Sequence, residues 1–195
     1  PQFLLMHLPF MLDVDSKAET LSFASRQNFI TFGNGRHALN VDAIHFLHEA
    51  IWPLIRKSLP NANLRVYGAY LPQSVTQLHQ PKKGFEVLGW RENLDAEIQK
   101  SKVCLVPLRF GAGIKGKVVD GLRNGTPLVA TSIAAEGMHP MKTFDSAEAF
   151  AKQAITFYTN QTEWEKARSA GKSALKSHYD KKQWSKALLS QLSRV

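Results

Sequence analysis

Two glycine-rich stretches hold residues whose types and spacing suit anion binding. The longer is Pro107-Leu-Arg-Phe-Gly-Ala-Gly-Ile-Lys-Gly-Lys-Val-Val-Asp120, with Gly111, Gly113 and Gly116 leading into a helical pattern that opens near Lys115. Unpaired amides at a helix N-terminus attract anions. Glycines let those amides come close to a phosphate, and Lys115 and Lys117 add formal charge. The run Gly111, Ala112, Gly113, Ile114, Lys115 thus reads either as a diphosphate cradle or as an ordinary glycine-rich turn. It is not a Walker loop, because Gly-Lys-[Ser/Thr] is absent. Nor does it follow the first strand, where a dinucleotide fingerprint would lie. Asp120, three residues after Lys117, can share a helix face with it. Its carboxylate can accept hydrogen bonds from the vicinal hydroxyls of a ribose, or simply pair with a lysine at the surface.

The second stretch is Phe32-Gly-Asn-Gly-Arg-His-Ala-Leu-Asn40. Arg36, flanked by Gly33 and Gly35, can fork onto a phosphate. His37 reads as a structural or merely exposed residue. Gly68 and Gly89 also end strand-like runs, and a glycine there lets a ligand or another backbone approach. After Gly89, Trp90 and Arg91 can stack on a flat base or pack against the sheet edge. The seven histidines are scattered, so no metal site is expected. No Gly-x-Ser-x-Gly marks a hydrolase. Cys104, the single cysteine, sits in the apolar run Val103–Val106 and reads as a small buried residue rather than a nucleophile.

These stretches must be positioned by regular elements. Strand-length apolar runs occur at 28–33, 64–68, 85–88, 103–106 and 127–131, with a weaker one at 141–144. Several are apolar throughout, as strands covered on both faces are. Helical patterns lie between them. Asn40 is placed to cap one with Val41, Ile44, Leu47, Ile51 and Leu54 on its apolar face, kinked near its end by Pro53. Asn93 caps a short one, and another runs from about Lys115 to Asn124, stopped by Gly125 and Pro127. The last third reads as helices, with capping boxes at Asp145-x-x-Glu148, Thr162-x-x-Glu165 and Asp180-x-x-Gln183. Alternation of strand and helix predicts an α/β fold: a doubly wound, mainly parallel Rossmann-like sheet followed by C-terminal helices. Ligands of such sheets bind beyond the carboxyl ends of the strands, which gathers both glycine-rich stretches around one crevice.

The chain has 195 residues, 44% hydrophobic and 21% charged, enough to bury a core without disulfides. A disordered chain, a collagen-like chain and a disulfide scaffold are excluded, and no run is long enough to span a membrane. Net charge is +9, and eight Lys and Arg against two acids from Glu165 onward put most of it in the C-terminal region. Such a region is a solvated helix face, or a contact for an anionic membrane surface or acidic partner. No aromatic-plus-basic groove accompanies it, so nucleic acid is not an expected partner. A cytoplasmic location, peripheral to a membrane at most, is the expectation. The opening Pro1-Gln-Phe-Leu-Leu-Met-His-Leu8 reads as a strand without the features of a signal peptide, and the chain reads as a piece of a longer one. The expected organisation is a leading strand and linker over 1–27, a Rossmann-like domain over 28–160 and basic helices over 161–195.

Residues Ile30-Thr-Phe-Gly-Asn-Gly-Arg-His-Ala-Leu-Asn-Val-Asp-Ala-Ile44 resemble the first strand and helix of the C-terminal domain of GT-B glycosyltransferases, above all the family 4, "group 1" retaining enzymes. The likeness continues in order through Ile51–Arg56, Leu59-Pro60, Leu64–Gly68, Val87–Gly89, Pro107–Lys117 and Gly125–Gly137. The resemblance implies a domain that binds a nucleoside-diphosphate sugar, without metal or other cofactor. The glycan or lipid-linked acceptor would be held by a separate N-terminal domain. By position it puts Lys117 and the amides of Gly111 to Ile114 at the diphosphate, with Arg36 assisting and Asp120 at the ribose. Gly89, Trp90 and Arg91 would lie near the base. Three features depart from the family. Its Glu-x7-Glu pair is reduced to Asp120, with Gly111 and Ala112 where the first Glu would stand, and Asn40 stands near the place of a usual basic residue. A last strand around Met138–Phe144 would be short. The other readings are a degenerate GT-B binding or assembly module, and another nucleotide-binding Rossmann-like domain such as an epimerase or oxidoreductase.

Overall fold

The computed structural model describes residues 9–14, 21–138 and 141–192; the strand expected at Pro1–Leu8 lies outside them. Five parallel strands form the sheet: β1 (Gln27–Phe32), β2 (Leu64–Tyr67), β3 (Phe85–Gly89), β4 (Ser101–Val106) and β5 (Leu128–Ala130). Their spatial order is β3-β2-β1-β4-β5, so the order reverses between β1 and β4. The helices are α1 (Ala38–Phe46), α2 (Trp52–Ser58), α3 (Gln73–Thr76), α4 (Leu94–Lys100), α5 (Gly116–Arg123), α6 (Ala147–Thr159), α7 (Gln161–His178) and α8 (Lys181–Leu192).

Each strand shows its two faces to two separate cores, which explains the unbroken apolar runs. Phe29 points into one, with Ile44, Leu47, Ile51, Val66, Phe85, Phe150 and Ala154. Its neighbour Ile30 points into the other, with Tyr67, Ile98, Cys104, Val118 and Leu128. Cys104 is fully buried there, and burial pushes its thiol up to about 12, so it stays protonated and inert.

Local chemistry sets most boundaries, with some corrections. Asn93 caps α4 as expected, its side chain accepting from the Ala96 amide. Gly125, with φ +61, ends α5, where the Thr126 amide donates to Gly121 and the Gly125 amide to Leu122. Asn40, by contrast, is not a cap. The helix begins at Ala38 with His37 in the cap position, because the Asn40 side chain is used across the fold. The interruption expected at Pro53 takes the form of a π-helical turn, Leu47–Ile51, from which α2 restarts with proline in its first turn. Ser146 caps α6 one residue after the expected Asp145, and Asn160 caps α7 two residues before the expected Thr162. Asp145 accepts instead from the amide and hydroxyl of Ser132. Residues 141–144 are not a strand; only the Phe144 amide reaches Ala130 of β5.

Arg26, fully buried, joins the sheet to the C-terminal helices. Its guanidinium donates to the carbonyls of Leu21, Ser101 and Asn124 and to the Thr126 hydroxyl at 2.6–3.2 Å, and lies 5.3 Å from the Trp164 ring centre of α7. Burial, with Arg168 nearby, pulls its pKa down to about 10. Trp164 in turn donates to the Lys102 carbonyl. At the far end of α7 the chain's leading segment docks, with Leu12 exchanging backbone bonds with Tyr179 and Lys181.

Replacing Arg26 by Met leaves several buried acceptors without donors. The Arg26→Met variant is expected to lose about 3 kcal/mol, read as a lower urea midpoint at unchanged slope.

Candidate active site

The loops that follow β1 and β4 flank the point where the strand order reverses, the place where open α/β sheets bind ligands. Three contacts tie the β4–α5 loop and the start of α5 to α1. Arg109 forms a two-point ion pair with Asp42, its Nε 2.9 Å from Oδ2, and its guanidinium lies 4.9 Å from the Phe46 ring centre. The backbone at Gly111 passes so near Leu39 that an added Cβ would sit 3.2 Å from its side chain. Lys117 of α5 donates to Asn40 Oδ1 at 2.6 Å. Asn40 and the Arg109–Asp42 pair escaped sequence reading, because partners 67 and 77 positions apart leave no local signal.

The two lysines diverge. The Lys115 side chain is buried and turns back, its ammonium 2.5 Å from the Gly113 carbonyl and 3.7 Å from Glu136. It pins its own loop. Lys117 is partly buried, and among the described residues its ammonium bonds to the neutral Asn40 carbonyl oxygen and forms no ion pair with a carboxylate. Burial pulls its pKa from 10.5 down to about 8. A cation in such surroundings favours an anionic partner. In the same loop, the amides of Gly111, Ala112, Gly113 and Ile114 donate to no protein acceptor among the described residues.

The glycines fall into two groups. At Gly68 an added Cβ would lie 2.1 Å from the Gly33 carbonyl oxygen; at Gly35, 2.3 Å from the Tyr70 carbonyl oxygen; at Gly33, 2.6 Å from the Asn40 side chain. These three serve close packing of the β1 and β2 loops, which the bonds from Gly33 to Tyr67 and from Gly35 to Ala69 lock together. Around Gly89, Gly113 and Gly116 an added Cβ meets nothing within 4 Å, so their surfaces are open. Arg36 is spread over the exposed ring of Tyr70, 3.8 Å from its centre, and its amide donates to Asn34 Oδ1.

Asp120 stands further along α5, lining a cleft of about 600 Å³ with Asn93, Asp95, Ile98 and Arg123 between α4 and α5. Burial raises its carboxyl pKa, and Arg123, 3.7 Å away, opposes the rise. Trp90 is exposed, and Arg91 lies 5.9 Å from the Tyr67 ring centre, whose hydroxyl donates to Glu97. Lys117 and Asn40 are thus joined directly, Arg36 stands on the β1 loop with its guanidinium over Tyr70, and Trp90 and Arg91 follow β3, two strands from β1. A separate apolar cavity of about 430 Å³ lies beside β5, lined by residues including Leu122, Leu128, Met141, Phe144 and Phe157. No group of three or more metal-ligating side chains occurs among the described residues.

The domain is a doubly wound α/β sheet, and such sheets bind their ligands at the strand-order reversal. Residues 26–160 match the family Glycosyl transferases group 1, and the chain belongs to that family. The fold is the Rossmann-like fold of GT-B glycosyltransferases. It is similar to S. aureus TarM (TM-score 0.74, 10% identity, 92% of this chain and 38% of that one). It is similar also to pneumococcal O-GlcNAc transferase GtfA, solved with UDP and GlcNAc (0.67, 15%, 90% and 37%). A third likeness is to Anabaena Alr3699/HepE, solved with UDP and glucose (0.66, 14%, 94% and 52%). The chain spans from about a third to about half of these proteins. No curated protein matches the sequence.

The glycine division is testable by melting. Gly68→Ala is expected to destabilise the fold by about 1–3 kcal/mol, whereas Gly116→Ala should melt no lower than wild type.

Proposed function

We propose that this chain is the donor-binding domain of a retaining glycosyltransferase, holding a nucleoside-diphosphate sugar in the crevice between the β1 and β4 loops. One observation carries this reading: among the described residues, the desolvated Lys117 ammonium pairs with no carboxylate, and four amides of the loop leading into its helix meet no acceptor. Lys117 and those amides would receive the diphosphate, with Arg36 closing from the β1 loop. Gly113 and Gly116 leave room for close approach. Asp120 would meet the ribose, and Gly89, Trp90 and Arg91 the base. The UDP bound by GtfA and HepE favours a uridine diphosphate donor.

The chemistry asked of these residues is electrostatic. As the bond from the anomeric carbon to the diphosphate oxygen breaks, negative charge grows on the leaving group. Preorganised cations and amides hold that charge best where water is scarce. The glycan or lipid-linked acceptor would bind on a second, N-terminal domain, and this domain alone would not turn over. Ala112, where a carboxylate would support the sugar, favours the second reading of a binding module without transfer activity. Transfer by the chain joined to its N-terminal partner domain would exclude that reading.

Isothermal calorimetry with UDP should show binding, and Lys117→Ala should weaken it roughly 10- to 100-fold, the worth of a charged hydrogen bond. Absence of heat with every nucleoside diphosphate would overturn the proposal. The pH dependence has a definite sign. The folded-state pKa of Lys117 lies near 8, below its ordinary 10.5, so UDP affinity should fall as pH rises through about 8. Over that same interval the unfolded chain holds the proton more tightly. Lys117 therefore makes the unliganded fold gain stability as pH rises from about 8 toward 10.5.

We further propose that α8 faces an anionic membrane surface. It has no buried residue, carries Lys181, Lys182 and Lys186, and exposes Leu189 and Leu192. No helix among the described residues is long and apolar enough to cross a membrane. Flotation with liposomes should increase with anionic lipid content; flotation indifferent to it would refute the contact.

A further inference from the structure

We infer that Asn40 is a positioning residue for the diphosphate site: it fixes the Lys117 ammonium over the β1 loop while leaving its charge uncancelled. The inference rests on the reading of Lys117 as a diphosphate ligand and adds to it a residue that does not itself need to touch the nucleotide.

Asn40 lies on the first turn of α1, only 6% exposed, a place where an asparagine gains nothing as a helix former. Both ends of its amide are used. The Nδ2 group donates to the Asn34 carbonyl at 2.8 Å, and Oδ1 accepts from Lys117 Nζ at 2.6 Å. A carbonyl on one side and an ammonium on the other allow only one orientation of the amide. The side chain is also seated on Gly33, where an added Cβ would fall 2.6–2.7 Å from all three of its terminal heavy atoms. The β1 loop therefore holds Asn40, and Asn40 holds Lys117. The path links two loops on either side of the strand-order reversal.

The amide is the informative choice of group. An aspartate of the same shape would also hold the ammonium, but as an ion pair that cancels its charge toward a ligand. An aliphatic residue would leave the ammonium without its anchor. A neutral acceptor orients the cation through one of its three N–H groups and leaves the others for phosphate oxygens. Few charged and titratable groups lie near Lys117 among the described residues. Cys104 on β4 is protonated and buried, Asp120 lies one turn on along α5, and Lys115 is turned toward Glu136. None of these replaces Asn40 as an anchor. Burial already lowers the Lys117 pKa, so its ionisation responds to what stands at position 40.

The test compares Asn40→Asp, Asn40→Ala and wild type by two readouts. The first is the Lys117 Nζ titration followed by NMR on the unliganded chain, with Lys117→Arg to assign the signal. Asn40→Asp should move the midpoint upward and Asn40→Ala should move it downward. The second is affinity for UDP and for inorganic pyrophosphate at pH 7. Both variants should bind each probe about tenfold more weakly or worse, a factor of ten being about 1.4 kcal/mol. Near-isosteric Asn40→Asp should keep the wild-type circular dichroism spectrum, so its weaker binding is not unfolding. Midpoints that stay put in both variants would overturn the inference whether or not nucleotides bind. Weak binding of UDP that Lys117→Ala abolishes but neither Asn40 variant alters would also overturn it, leaving the donor-site reading intact. Failure of wild type to bind either probe would remove both.

Discussion

A partly buried ammonium group, paired with no carboxylate among the described residues, is the constraint on which this domain's crevice turns. Lys117 reaches from the first turn of α5 to Asn40 on α1, across the place where the sheet reverses its strand order. The parallel sheet brings those two helix starts to the same edge. Arg109 and Asp42 then clamp the outer part of the β4 loop to α1, so that the inner contact is made on a fixed frame. The desolvation of Lys117 is unfavourable by itself, and an anionic partner would offset it. A binding site is a reasonable place for a fold to store such a penalty.

Around this contact the glycines divide the labour between frame and opening. Gly33, Gly35 and Gly68 let the β1 and β2 loops interlock at distances no side chain would permit. Gly113 and Gly116 face open space on the other wall. One wall is rigid because its backbones touch, and the other is open because its backbone is bare. Lys115 stiffens the open wall from behind by gripping the Gly113 carbonyl and Glu136. The two lysines differ by two positions in sequence and by their entire role in geometry, since the first precedes the helix and the second lies within it.

Away from the crevice, a buried arginine organises the rest. Arg26 satisfies carbonyls at the start of β4 and the end of α5 while lying against Trp164 of α7. The C-terminal helices are thereby attached to the sheet through hydrogen bonds as well as apolar contact. The basic charge that dominates the last helices is left largely outside this junction, on α8 in particular, which buries none of its residues.

The alternation of apolar runs with helical patterns was enough to define a doubly wound sheet, since strand period and burial are local consequences of residue type. The five main runs became β1 to β5 within one or two residues at most ends, and Asn93 and Gly125 terminated helices for reasons visible in a few neighbouring positions. The ordered likeness to a glycosyltransferase family was likewise carried by contiguous segments. Tertiary structure alone decided what Asn40 does, which lysine turns inward, and which glycines are frame and which are opening. Each depends on a partner tens of positions away, and a short-range pattern holds no record of such a partner until the sheet has set the distances. Asn40 shows the difference most plainly: its type suggested a cap, and a hydrogen bond from a lysine 77 residues later overruled that.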